Sequence, residues 1–146
     1  MNRERVLFLC TGNTSRSQMA EAFLWRLGGD RFEVYSAGLE PSQINPYARR
    51  VMAEKGYDLA GQYSKDLSEY LGKVHFSYLI TVCSDADAKC PAIFPGMGQR
   101  MHWGFDDPAA VEGTDAEKVA VFRRVRDEIE SKIRAWLQER GLEPVA

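Results

Sequence analysis

Val6-Leu7-Phe8-Leu9-Cys10-Thr11-Gly12-Asn13-Thr14-Ser15-Arg16-Ser17 is the stretch whose reading decides the fold. Its apolar, β-favouring start ends on a cysteine, a polar run with one glycine follows, and Ser17 opens a helical pattern through Met19, Ala22, Phe23 and Leu27. The stretch predicts a buried strand, a sharp loop and a helix start, with a thiol at the helix N-terminus. Unpaired backbone N–H groups and the positive end of the helix dipole favour anions there, whether a thiolate or a tetrahedral oxyanion.

Working outward, the first helix is expected from Ser17 to Leu27, stopped by Gly28-Gly29. Phe32 to Ala37 is a second strand ending at Gly38, and Asn45-Pro46 starts a helix with Ala48, Val51 and Met52 inward, ending at Gly56. Residues 57–73 read as a loop and a short helix ending near Gly72. Phe76 to Cys83 is apolar enough for a central strand and again terminates on cysteine. Ser84 to Gly98 is irregular: residues 85–90 allow a turn or two of helix before Pro91 and Pro95. Gln99 to Trp103 is a weaker strand, and Gly104 to Ala109 leaves it as a polar loop. Thr114-Asp115-Ala116-Glu117 is a capping box opening a long amphipathic helix through Val119, Phe122, Ile129, Ile133 and Trp136. Its charged residues form a solvated face, with Glu128 and Lys132 at i,i+4 pairing distance.

Strands alternating with helices predict an α/β fold: a single domain, 1–146, whose four-stranded parallel sheet carries helices on both faces. Ligands of such sheets bind beyond the C-terminal strand ends. Cys10, Cys83 and the Asp106-Asp107 loop all fall on that side.

The 146 residues, 45% hydrophobic and 27% charged, have an ordinary globular balance, and a net charge of −2 gives no case for nucleic acid or a membrane surface. The apolar run before Thr11 is too short for a signal peptide, and no stretch could span a bilayer, so a cytoplasmic protein is expected. Three cysteines, an odd count, suggest reactive thiols rather than a structural disulfide framework. There is no C-x-x-C pair, and His75 and His102 are isolated, which speaks against structural zinc.

Cys10 to Arg16 is C-x5-R followed by Ser17. So short a loop, Thr11, Gly12, Asn13, Thr14, Ser15, Arg16 and Ser17, brings amides together around one oxyanion, while the planar guanidinium of Arg16 grips two oxygens. A free thiol with a pKa near 8.5 is roughly 3% ionised at pH 7, whereas one lowered to about 6.5 is roughly three-quarters thiolate. A lowered Cys10 pKa is therefore expected, with Ser15 and Ser17 as hydroxyl donors. Seven residues of unbroken helix would hold Cys83 and Cys90 about 10 Å apart at Cα, beyond disulfide reach, so that segment would have to unwind to join them.

Cys10 to Glu21, reading CTGNTSRSQMAE, resembles the phosphate-loop signature shared by low-molecular-weight protein tyrosine phosphatases and thioredoxin-coupled arsenate reductases. Thr81-Val82-Cys83, Cys90-Pro91, His102 to Ala109 and Arg124 to Ile129 resemble the reductase branch specifically. The resemblance runs from residue 6 to about residue 137 and implies the phosphatase-like α/β fold. It implies Asp107, before Pro108, as the general acid that protonates the departing oxygen. Ala109 stands where phosphatases of this fold usually carry a tyrosine lining the cleft, which argues against an aryl phosphate substrate.

The resemblance further implies a relay with arsenate as substrate. Cys10 attacks the bound oxyanion, Cys83 then attacks Cys10 with release of arsenite, and Cys90 attacks Cys83, leaving a disulfide that thioredoxin reduces. Some reductases of this family carry a further cysteine at Ser15, which the relay does not require. Asn13, Glu21, Ser36 and Asp66 resemble a monovalent-cation site, for potassium or sodium, that buttresses the loop in some members; no tightly bound cofactor is expected. The chain is expected to act as a monomer. Two other functions use fewer residues: a tyrosine phosphatase built on Cys10, Arg16 and Asp107, and a non-enzymatic phosphate or phosphocysteine carrier. Both leave Cys83 and Cys90 without a task.

Overall fold

The structure, a computed structural model, describes residues 3–70, 72–83 and 97–145. Strand β1 (Glu4–Cys10) is buried from Val6 onward, as suits a strand with neighbours on both sides. It pairs in parallel with β2 (Phe32–Gly38) and with β3 (Phe76–Thr81), and β3 pairs in parallel with β4 (Met97–His102). The sheet order β2-β1-β3-β4 is the expected four-stranded parallel sheet. Consecutive parallel strands need crossovers. The first is helix α1 (Arg16–Leu27), which starts one residue earlier than the periodicity indicates; the second contains α2 (Pro46–Ala53). Asn45 caps α2 by accepting from the Tyr47 amide at 2.8 Å.

The C-terminal helix α3 (Asp115–Glu139) opens on the expected capping box, the Glu117 amide donating to Thr114 Oγ1 at 3.2 Å. Val119, Phe122, Ile129, Ile133 and Trp136 are buried as their spacing predicts, and α3 packs against both α1 and α2. Trp136 meets Phe32 of β2, Tyr78 of β3 and Trp103 after β4, so one aromatic residue locks the helix across the sheet. Alternate residues of a strand point to opposite faces. Tyr35 accordingly turns the other way from Val34 and meets Tyr70 and Phe76 edge-on.

Four local expectations differ from the structure. β3 ends at Thr81 rather than Cys83, although the Val82 amide still donates to Leu9 O at 2.9 Å. β4 runs from Met97 to His102, and Trp103 lies just beyond it. The short helix after Asp66 is a single 3-10 turn, Leu67–Glu69, closed by Asp66 and Glu69 capping each other's backbone. Glu128 pairs with Arg124 at 3.0 Å, one turn earlier, while Lys132 lies over the Trp103 ring. The segment expected to be irregular, with Cys90, falls on residues 84–96, outside the described residues. Among the described residues no helix is long and apolar enough to cross a membrane.

Glu54, just past α2, ties that helix to α3. It accepts from Arg123 Nε at 3.0 Å and Nη2 at 2.6 Å, and from Arg126 Nη1 at 2.9 Å. The Arg123 hydrogen bond above all, with Arg126 beside it, holds the Glu54 carboxyl down from the ordinary 4.5 to about 2. A carboxyl depressed in the folded state stabilises the fold above its unfolded pKa and ceases to do so as pH falls through the folded one. Urea midpoints measured between pH 4.5 and 2 should therefore fall with pH, and Glu54→Gln should flatten the curve in that window.

Candidate active site

Parallel pairing brings the C-terminal ends of β1 and β3 to one edge, with Leu9 opposite Thr81. The next residues, Cys10 on one strand and Val82-Cys83 on the other, emerge side by side. The chain beyond β4 follows: the Trp103 amide donates to Thr81 O at 2.8 Å, and the Phe105 amide to Val82 O at 3.4 Å. A pocket of about 550 Å³ forms there, lined by Cys10, Thr11, Gly12, Thr14, Ser15, Arg16, Cys83, Phe105, Asp107 and Ala109. Of the residues singled out from sequence for the reaction, Cys10, Arg16, Cys83 and Asp107 meet in this one place, and Cys90 lies outside the described residues.

The loop is anchored from outside by its carbonyls. Thr11 O accepts from the Glu40 amide at 2.8 Å, Gly12 O from Ser42 at 3.1 Å and Thr14 O from Asn45 at 3.0 Å. In a trans peptide the C=O and the following N–H point oppositely. The amides of Gly12, Asn13 and Ser15 are therefore turned away from residues 40–45. Asn13 sits at φ 51°, in the left-handed region that Asn tolerates better than most residues. Its fully buried side chain faces away from the pocket. Nδ2 donates to Ser17 Oγ at 2.8 Å, and Oδ1 accepts from Gln18 Nε2 at 3.0 Å and the Lys65 amide at 2.9 Å. Asn13 and Ser17 thus brace the loop from behind, whereas Ser15 Oγ, in the pocket lining, is buried with no hydrogen-bond partner. Gly38 closes β2 against the loop: a Cβ there would lie 2.7 Å from Thr11 O and 3.0 Å from Asn13 N, so no side chain fits.

Arg16, a mostly buried guanidinium, donates from Nη1 to Phe105 O at 3.0 Å and places Nη2 3.8 Å from Asp107 Oδ2. Asp107 is more exposed, and its Oδ1 accepts from the Ala109 amide at 3.0 Å, fixing the Asp-Pro turn at the pocket rim. Thr11 Oγ1 lies 3.4 Å from Cys83 Sγ. Both described cysteines are buried.

The Cys10 thiol is pushed up from the ordinary thiol range, not down as expected. Its hydrogen bond with Cys83 is the main cause and burial the second, with Arg16 pulling the other way. The lowered value expected from the helix start holds only if that start outweighs its surroundings. A second thiol in contact and the loss of solvent reverse the sign.

The hydrogen bonds of the residues that resemble a cation site keep Glu21 and Ser36 together and turn Asp66 elsewhere. Glu21 accepts from Ser36 Oγ, while the Asp66 carboxylate caps the 3-10 turn through the Ser68 amide at 2.8 Å. Burial raises the Glu21 carboxyl, with Lys65 and Ser36 opposing. Among the described residues no cluster of three or more His, Cys, Asp or Glu could hold a metal ion. Gln18, Ser64 and Lys65, which support the loop from α1 and from residues 62–66, carry no sequence signal of their own. Gln18 falls within the Cys10–Glu21 signature but is not singled out by it, and Ser64 and Lys65 sit in a polar loop with no periodicity.

Residues 5–143 match the low molecular weight phosphotyrosine protein phosphatase family. The chain is 48% identical over 139 residues to the arsenate reductase of Halalkalibacterium halodurans, covering 94% of this chain and 98% of that protein. A solved arsenate reductase in its oxidized state superposes with a TM-score of 0.78 at 29% identity, over 93% of this chain and 98% of that one. The thioredoxin-dependent arsenate reductase of Corynebacterium glutamicum gives a TM-score of 0.70 at 26% identity, over 94% of this chain and 61% of that one.

Because Cys83 is what holds the Cys10 thiol up, Cys83→Ala should move the pH midpoint of Cys10 alkylation by iodoacetamide downward and speed the reaction at pH 7. An unmoved midpoint would exclude the thiol contact. Arg16→Lys should weaken inorganic phosphate binding by at least about tenfold, because a point charge cannot replace the planar fork; calorimetric titration reads this directly.

Proposed function

Since the chain belongs to the low molecular weight phosphotyrosine protein phosphatase family, we propose that it is an arsenate reductase of the thioredoxin-coupled kind. The observation that carries this reading is the second thiol: Cys83 lines the same pocket as Cys10. A phosphatase or a phosphate carrier needs one nucleophile there, and a relay needs two.

Arsenate enters with its oxygens toward the loop amides, the Ser15 hydroxyl and the Arg16 fork. The sulfur of Cys10 bonds to arsenic while one oxygen departs as water, with Asp107 as its proton donor. The thiol proton of Cys10 balances the proton that Asp107 gives up. Cys83 then attacks the Cys10 sulfur. An S–S bond forms, the S–As bond breaks, and its electron pair stays on arsenic, which falls from oxidation state V to III and leaves as arsenite. The two thiols have supplied both electrons. Cys90 next attacks Cys83, returning Cys10 to a thiol and leaving a Cys83–Cys90 disulfide, which the dithiol of thioredoxin reduces by the same exchange. Thr11 Oγ1, 3.4 Å from Cys83 Sγ, keeps that sulfur at the pocket wall before its attack.

One turnover with arsenate and no reductant should lower the free-thiol count from three to one. Three unchanged thiols with phosphate-ester hydrolysis would point instead to the phosphatase. Cys90→Ser should stop after a single turnover with Cys10 joined to Cys83, seen as a disulfide-linked peptide pair by mass spectrometry. Sustained thioredoxin-coupled turnover in that variant would overturn the relay.

A further inference from the structure

Behind the loop lies a second polar cluster that the chemistry above does not use. Lys65 is at its centre, with its side chain only 6% exposed. Its Nζ donates to Tyr63 O at 2.8 Å, lies 3.5 Å from Glu21 Oε1 and sits 4.8 Å over the Tyr63 ring. The same Glu21 oxygen accepts from Ser36 Oγ. The backbone of Lys65 is tied just as firmly: its amide donates to Asn13 Oδ1 at 2.9 Å, and its carbonyl accepts from the Gly38 amide at 2.8 Å. One residue therefore bonds the loop, the end of β2 and the buried carboxylate of α1.

The oxygens around that ammonium, a carboxylate and a backbone carbonyl with a hydroxyl beside them, are the donor set a hard cation takes. A monovalent ion does not fit among them while Lys65 is present, because the ammonium already lies against Glu21 and the Tyr63 carbonyl. Asp66 and the Asn13 side chain are committed elsewhere, to Ser68 and to Ser17, Gln18 and the Lys65 amide. We infer that the Lys65 ammonium is a built-in replacement for a monovalent cation, a positioning residue that supports the oxyanion loop from behind and makes it independent of dissolved potassium or sodium. A buried carboxylate is costly without a partner, and a tethered charge is present at high effective concentration whatever the medium. This support acts on any tetrahedral oxyanion in the loop, so a failure to reduce arsenate would leave it standing.

The test is calorimetric binding of inorganic phosphate to the full chain, in choline chloride and in potassium chloride at equal ionic strength. The unmodified protein should bind equally in both salts. Lys65→Ser, which vacates the space and removes the charge, should bind at least about fivefold more weakly in choline and recover in potassium, the size expected for coupling between two sites. Lys65→Met, which keeps the bulk without the charge, should stay weak in both. Thermal midpoints in the two salts give a second readout, and a Lys65→Ser protein that folds only in potassium would count in favour. A gain of fivefold or more by the unmodified protein in potassium overturns the inference. So does a Lys65→Ser variant whose binding is the same in both salts.

Discussion

The parallel pairing of β1 with β3 is the constraint on which the rest depends. It sets Leu9 opposite Thr81 and carries one further bond, from the Val82 amide to Leu9 O. Two cysteines separated by half of the chain therefore leave the sheet at the same level. Parallel strands cannot be joined by a tight turn, so the chain must cross over between them, and each crossover begins at this edge. The loop after β1 and the Phe105–Asp107 turn after β4 are both consequences of that topology. A ligand site at the C-terminal strand ends is the usual result of such a sheet, and here it gathers a thiol pair, a guanidinium and a carboxylate.

Preorganisation of the loop comes from its outer side. Thr11, Gly12 and Thr14 spend their carbonyls on residues 40–45, and Asn13 spends its carbonyl on Gln18 and Ser64. An anion site made of backbone amides costs little reorganisation on binding when the opposite ends of its peptides are already fixed. That fixing reaches from three directions: α1 through Gln18, β2 through Gly38, and residues 64–65 through Ser64 and Lys65. The loop residues are contiguous in sequence. Their supports are not.

This difference explains what could be read without coordinates. The strand, the loop and the placement of Cys10 and Arg16 were legible because one unbroken motif carries them, and the place of Cys83 beside them was legible because strand ends in a parallel sheet share an edge. Asp107 was placed by its position after β4, and the Arg16–Asp107 approach agrees with it. Lys65 was invisible: a lysine in a polar loop reads as solvated, and only the fold shows it buried against Glu21. The end of β3 at Thr81 departs from its apolar pattern for a similar reason. Apolar residues continue to Cys83, but pairing with β1 stops where the chain turns toward the pocket.

The state of Cys10 depends on a contest of magnitudes that sequence alone does not resolve. A helix terminus contributes about 0.3–1 kcal/mol, up to about 2 in partly buried settings. One pKa unit is about 1.4 kcal/mol, so the terminus alone shifts a thiol by little more than one unit. Burial can raise an acidic group by several units, and the Cys83 hydrogen bond acts in the same direction. Burial and the second thiol consequently outweigh the helix terminus at Cys10 and raise its thiol. In the proposed relay the thiol proton and the departing hydroxyl make one molecule of water between them, so charge is conserved across the step. No new charge has to be buried for the sulfur–arsenic bond to form.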